Sequence, residues 1–177
     1  AEISMEMDPG TFDQAQLDAT LALGVTRVSL GVQAFDDTLL QTCGRSHDLA
    51  EVEKCIRMLK ESDVASWSLD LISSLPHQTL EGWQQGLEIA ISHEPDHIAV
   101  YDLQIEDGTK FGSLYLPGQT PLPSEDTAAE MYKAASSTLT AAGYEHYEVS
   151  NYARPGHRCR HNMVYWKNAP YLAFGMA

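Results

Sequence analysis

The sequence is poor in basic residues, in cysteine and in long apolar runs, and each shortage narrows what the chain can be. Eleven Lys and Arg stand against 25 Asp and Glu, a formal charge of -14. That field repels a phosphate backbone, so the reading excludes nucleic acid as a partner. Cysteine occurs three times, at Cys43, Cys55 and Cys159. An odd number at wide spacing gives neither a disulfide framework nor a CxxC metal site, and three free thiols fit a reducing compartment. No apolar run approaches the roughly 20 residues of a membrane span, and the amino terminus lacks the charged-then-apolar pattern of a signal peptide. A soluble chain without a transmembrane segment is expected. Low-complexity runs and short internal repeats are missing too. The chain starts at Ala1 in a strand-like segment and stops at Ala177 after a glycine, so it reads as a piece of a longer protein. Its expected location is cytoplasmic, or a chloroplast or mitochondrion if a transit peptide precedes Ala1.

What is present is a repeating alternation of elements. With 177 residues and 44% hydrophobic content, the chain can fill one core. Ile3, Met5 and Met7 alternate with Ser4 and Glu6 as in a strand, and Asp8-Pro9-Gly10 ends it. Thr11 with Gln14 predicts a capped helix over 12–23, stopped by Gly24. Residues 25–33 read as a strand and 36–42 as a short helix. Asp48 with Glu51 predicts the next helix, whose Val52, Cys55, Ile56 and Leu59 share a buried face. Strands are expected at 67–72 and 97–105, with a helix carrying Trp83, Leu87, Ala90 and Ile91 between them. After a Pro- and Gly-bearing stretch, Ser124 caps a long helix with Ala128, Met131, Tyr132, Ala135 and Leu139 inward. Residues 144–152 read as one strand, followed by a basic, His-rich loop into His161-Asn162-Met163-Val164-Tyr165-Trp166.

Polar residues recur at or near the ends of the first four strands: Glu6, Gln33, Asp70 and Gln104. In parallel β/α sheets the loops leaving the carboxyl ends of the strands converge on one crevice, so a small-molecule site is expected there. Each residue has a plainer alternative. Glu6 can flank an exposed turn. Asp70, between Leu69 and Leu71, can form a buried pair with an arginine as well as bind a ligand, since an unpaired carboxylate on an inward face is costly. Arg45 can hold a carboxylate in two hydrogen bonds or cap a helix end. His157 reads as an exposed loop residue.

The segments Met5-Glu6-Met7-Asp8-Pro9-Gly10, Arg27-Val28-Ser29-Leu30-Gly31-Val32-Gln33-Ala34-Phe35, Gly44-Arg45, Ser68-Leu69-Asp70-Leu71-Ile72 and Leu75-Pro76 occur in that order. Together they resemble the radical S-adenosylmethionine proteins related to oxygen-independent coproporphyrinogen III oxidase. The resemblance implies an α/β fold, a partial TIM-like (β/α)6 barrel. Residues 1–107 would supply its third to sixth strands, and residues 108–177 an α+β extension. The CxxxCxxC loop that binds the family's [4Fe-4S] cluster would lie upstream, so Cys43, Cys55 and Cys159 are not cluster ligands. By similarity, Glu6 would hold the ammonium of S-adenosylmethionine and Arg45 its carboxylate. Gln33 and Asp70 would orient the cofactor and its ribose, and Gln104 would contact adenine. Leu75-Pro76-His77-Gln78-Thr79 departs from the family's Leu-Pro-Gly-Gln-Thr turn; serine and histidine fit there only if the backbone needs no positive φ.

Tyr147-Glu148-Val149-Ser150-Asn151-Tyr152-Ala153 and Arg160-His161-Asn162-Met163-Val164-Tyr165-Trp166 are similar to the HemW-like branch, with its HNxxYW element. That branch implies heme binding and delivery to heme-acceptor proteins, with His161 as the candidate iron ligand beside aromatic rings. On the residues alone, His161 and Asn162 can equally pin a loop while Tyr165 and Trp166 fill a core. The sister branch implies oxidative decarboxylation of coproporphyrinogen III. A third alternative is an inactive truncated barrel.

Overall fold

A computed structural model of the protein describes residues 1–175. Four parallel strands, β1 (Ser4–Met7), β2 (Arg27–Gln33), β3 (Ser66–Ser73) and β4 (His97–Asp102), lie side by side in chain order. Helices α1 (Gln14–Ala22), α2 (Asp37–Thr42), α3 (Leu49–Glu61) and α4 (Leu80–Ser92) make the crossovers that parallel pairing requires. Then come α5 (Lys110–Leu114) and α6 (Glu125–Ala141). Strands β5 (Glu145–His146) and β6 (Asn151–Ala153) form an antiparallel pair, and β6 runs back along β4 before α7 (Arg160–Trp166). The result is an α/β fold with a partial barrel of strand and helix units, and the sheet continues into the segment beyond residue 107.

Alternation along the strands separates two faces. Val28, Leu30, Trp67, Leu69, Leu71, Ile98 and Val100 pack with Leu17, Val52, Ile56, Leu59, Leu87, Met131 and Leu139 of the covering helices in one core. Trp83 joins that core and donates its indole N–H to the Met131 carbonyl at 2.9 Å, which ties α4 to α6. The other face carries Ser4, Glu6, Arg27, Ser29, Ser68, Asp70, His97 and Tyr101. A polar concave face beneath an apolar shell is what positions the site.

Several local expectations are corrected. The cap of α1 is Asp13, paired with Gln16 in a capping box, because the Thr11 hydroxyl is spent on the Asp8 carbonyl at 2.7 Å. Strand β4 ends at Asp102, which leaves Gln104 on the loop that follows. Tyr132 is exposed and Ala128 only partly buried, while Met131, Ala135 and Leu139 are buried. The single strand expected over 144–152 is two short ones. The turn after β3 does adopt positive φ, at Ser74 (64°) and His77 (67°), without glycine at either. Gln78 braces it, accepting from the Leu75 N–H at 3.1 Å and donating to the Ile72 carbonyl at 3.3 Å. The helix α7 occupies part of the basic segment read as loop. Among the described residues no helix is long and apolar enough to cross a membrane.

Candidate functional site

Two adjoining cavities occupy the polar face. The smaller, about 370 Å³, is bordered by Glu6, Asp8, Gly31, Gln33, Arg45 and Asp70. The larger, about 540 Å³, shares Glu6 and Asp70 and extends past Arg27, His97, Tyr101 and Asn151 to Cys159, His161 and Asn162. The fold therefore brings Glu6, Gln33, Arg45 and Asp70 together, and puts His161 on the far side of the connecting space. Gln104 borders neither cavity; it is exposed and its amide lies 3.4 Å from the Asp102 carboxylate.

Asp70 is the most constrained of these residues. Its carboxylate accepts from Ser29 Oγ at 2.8 and 3.0 Å and from Ser68 Oγ at 3.3 Å. Burial pushes its pKa up to about 6, the Glu6 carboxylate adds to that, and the two serine hydroxyls and Arg27 act in the opposite direction. Of the two alternatives for Asp70, no arginine pair is formed among the described residues: Arg27, itself buried, donates to Ser66 Oγ at 3.1 Å and to the His157 carbonyl at 3.2 Å.

Gln33 sits in a strained turn. Its φ is 72°, and the Ala34 N–H reaches back to the Val32 carbonyl at 3.0 Å, closing a three-residue γ-turn at the point where the pairing of β2 with β3 shifts register. Strain of this kind in a non-glycine residue persists where the surroundings hold it, and it gathers at binding sites. Gly31 keeps the approach open, since a Cβ there would meet Asp8 Oδ1 at 2.5 Å and Gln33 Nε2 at 3.0 Å. Arg45 reaches the pocket from the loop after α2 and pairs with Asp8 at 3.2 Å. The group thus holds anions and cations within reach of one small ligand.

On the other side, His161 is exposed and its Nε2 lies 3.3 Å from the Tyr165 hydroxyl, one helical turn on. Trp166 is exposed rather than core. His157 is partly buried, not a free loop residue: its Nδ1 lies 3.2 Å from Ser66 Oγ and 3.5 Å from Asp96. The sequence reading missed the roles of His97, Ser68 and Tyr147, which form a hydrogen-bonded line behind Asp70, with Ser68 and His97 buried and Tyr147 partly buried. The only available signal was His97 at the start of an apolar strand. Among the described residues no group of His, Cys, Asp and Glu could hold a metal ion, and Cys43, Cys55 and Cys159 are free thiols.

A parallel strand and helix sheet with a polar, ligand-sized space on its inner face defines an α/β fold of the barrel class with a candidate ligand site. The profile of the Radical SAM superfamily matches residues 1–89, and the chain belongs to that superfamily. Its relationship within it is HemW-like and extends over most of the chain. It is 47% identical to the heme chaperone HemW of Synechocystis over 99% of its own length and 43% of that protein. Against the heme chaperone HemW of Escherichia coli the identity is 38%, over 99% of this chain and 45% of the relative. The mouse protein called radical S-adenosyl methionine domain-containing protein 1, mitochondrial, is 37% identical over 99% of this chain and 40% of its own. The solved coproporphyrinogen III oxidase (HemN) of E. coli superposes with a TM-score of 0.80 at 28% identity, over 89% of this chain and 36% of that one. The chain thus spans less than half the length of these relatives. The superfamily assignment implies chemistry dependent on S-adenosylmethionine and a [4Fe-4S] cluster.

Proposed function

We propose that this chain is the S-adenosylmethionine-binding and heme-handling part of a heme chaperone that delivers heme to acceptor proteins. The observation that carries the reading is the meeting of Glu6, Gln33, Arg45 and Asp70 around one pocket that opens toward His161. The donor set suits the cofactor. Its methionine end is a zwitterion, which asks for one carboxylate and one guanidinium, and Glu6 and Arg45 supply them through charge-assisted hydrogen bonds. Asp70 accepts hydroxyl hydrogens of the ribose, and the raised Gln33 amide, beside the gap left by Gly31, contacts the same ligand. Gln104 would reach the adenine only through movement of its loop. When bound, the cluster and the cofactor supply one-electron chemistry at the sulfonium. This chain's residues bind, orient and exclude water, and none of Cys43, Cys55 and Cys159 is assigned to the cluster. Heme is the cargo, and His161, with the Tyr165 ring packed edge-on against it, is its candidate iron ligand.

The likeness to the solved coproporphyrinogen III oxidase supports a second reading, decarboxylation of the propionates of coproporphyrinogen III. The HNxxYW segment favours the chaperone. The proposed setting is the cytoplasm or, behind a transit peptide, an organelle. A heme titration of the full-length protein, followed by Soret absorbance, tests the reading. Stoichiometric binding that is lost in His161→Ala is the expected outcome, and no binding by the wild type would move the oxidase to the front.

A further inference from the structure

A single line of hydrogen bonds joins the Asp70 carboxylate to the start of α7. Ser68 Oγ lies 3.3 Å from Asp70 Oδ1 and 3.0 Å from His97 Nδ1. On the other side of the ring, His97 Nε2 lies 2.8 Å from the Tyr147 hydroxyl, and that hydroxyl accepts the Cys159 backbone N–H at 3.2 Å. Ser68 and His97 face each other across the β3 and β4 pairing and are almost wholly buried, at 0% and 2% exposure.

The donors can be assigned along this line. An ionised carboxylate only accepts, so Ser68 gives its hydrogen to Asp70 and its oxygen must accept from His97 Nδ1–H. A neutral ring protonated at Nδ1 presents Nε2 as an acceptor, and the Tyr147 hydroxyl, already accepting from Cys159, donates to it. One tautomer of a neutral imidazole satisfies every atom. Burial first, then the electrostatic effect of Arg27 and His157, lowers the His97 pKa to about 3, so the ring is neutral at physiological pH. An apolar pair at Ser68 and His97 would take a donor from Asp70 and leave the Tyr147 hydroxyl hydrogen without its acceptor, so the four side chains form one linked unit.

We propose that His97 is a positioning residue, whose Nδ1–H turns the Ser68 hydroxyl onto Asp70 and whose Nε2, through Tyr147, fixes the first residue of the segment that carries His161. The carboxylate shared by the two cavities and the segment bordering the larger one are thereby held as one unit. The inference rests on the S-adenosylmethionine reading of Asp70. Protonation of Asp70 leaves Ser68 free to donate to His97 instead, which favours the opposite tautomer and reverses the line as far as Tyr147. Glu6 from β1, Arg27 from β2 and Tyr101 from β4 also face Asp70, and Arg27 and His157 face His97, so these set where the reversal falls.

The test uses the full-length protein labelled with 15N in its histidine rings, together with S-adenosylmethionine affinity by calorimetry. Wild type is expected to show His97 protonated at Nδ1 at pH 7.5. Tyr147→Phe, which keeps the aromatic ring, is expected to mix the two tautomers and weaken S-adenosylmethionine by about 3- to 10-fold, the effect of one neutral hydrogen bond. His97→Phe should weaken it at least as much, and Tyr147→Phe remains the deciding variant if His97→Phe does not fold. An Nε2–H ring in wild type, or a Tyr147→Phe protein with unchanged tautomer and affinity, overturns the proposal. A wild type with the expected tautomer, and mixed tautomers in Tyr147→Phe, but no S-adenosylmethionine binding, supports the positioning line and overturns the ligand reading instead.

Discussion

Asp70 keeps a carboxyl group where water is scarce, and its protonation links site and stability. Its pKa is raised from 3.8 to about 6, by burial first and then by Glu6. Between those values the folded chain holds a proton that the unfolded chain releases. The stability this group contributes is therefore full below pH 3.8, declines as pH rises to about 6, and stays lost above it. Asp70→Asn removes the charge and still accepts from Ser29. At roughly 1.4 kcal/mol per pH unit, reduced for partial exposure, it should gain about 1 to 2 kcal/mol at pH 7.5 and nothing near pH 4. Urea unfolding at the two pH values checks this; a loss of stability at pH 7.5 would mean that the ionised carboxylate is a structural partner. Glu6, Gln33 and Asp70 stood out in the sequence because each is a polar residue at or near the end of an apolar strand. Arg45, on the loop after α2, stood out only through its order and spacing with the others. Ser68, His97 and Tyr147 were not legible there, since their contacts span 29 and 50 positions and depend on strand register that one sequence does not print.

The helices were legible where a cap and a stripe agree, as in α3, where Asp48 accepts the Glu51 N–H and Val52, Cys55, Ile56 and Leu59 are buried. For α1 two capping pairs at the same spacing compete, Thr11 with Gln14 and Asp13 with Gln16, and the turn after β1 decides between them by engaging Thr11. Asp13→Ala should cost about 1 kcal/mol and Thr11→Ala less than half of that. Thermal unfolding of both variants measures the difference, and the reverse order would restore Thr11 as the cap. The segment 144–152 alternates like a strand, yet Tyr147 turns in to His97 and Tyr152 stacks on His146 with ring centroids 4.1 Å apart. Aromatic residues with partners on a hairpin give the same period as those on one extended strand.

The chain is strongly acidic, and among the described residues β1 and β5 are the two edges of its sheet. Beside the β1 edge lies a groove of about 520 Å³ bordered by Met5, Phe12 and Leu23, and Ile3 and Met5 are exposed. Charge keeps copies apart at neutral pH, but an open apolar edge invites strand pairing once that charge is titrated away. Light scattering of the 177-residue chain should therefore detect association as pH approaches the isoelectric point, and Met5→Lys should suppress it. Equal scattering by both proteins would acquit the edge. At the opposite end of the chain, the backbone N–H of Arg160 meets the Glu2 carboxylate at 2.8 Å, across 158 positions of sequence. During synthesis the strands leave the ribosome well before α7 does, and the larger cavity has no far wall until then. A nascent chain halted before Cys159 carries the near wall of that cavity, from Glu6 to Asn151, and lacks Cys159, His161 and Asn162, which border its far side.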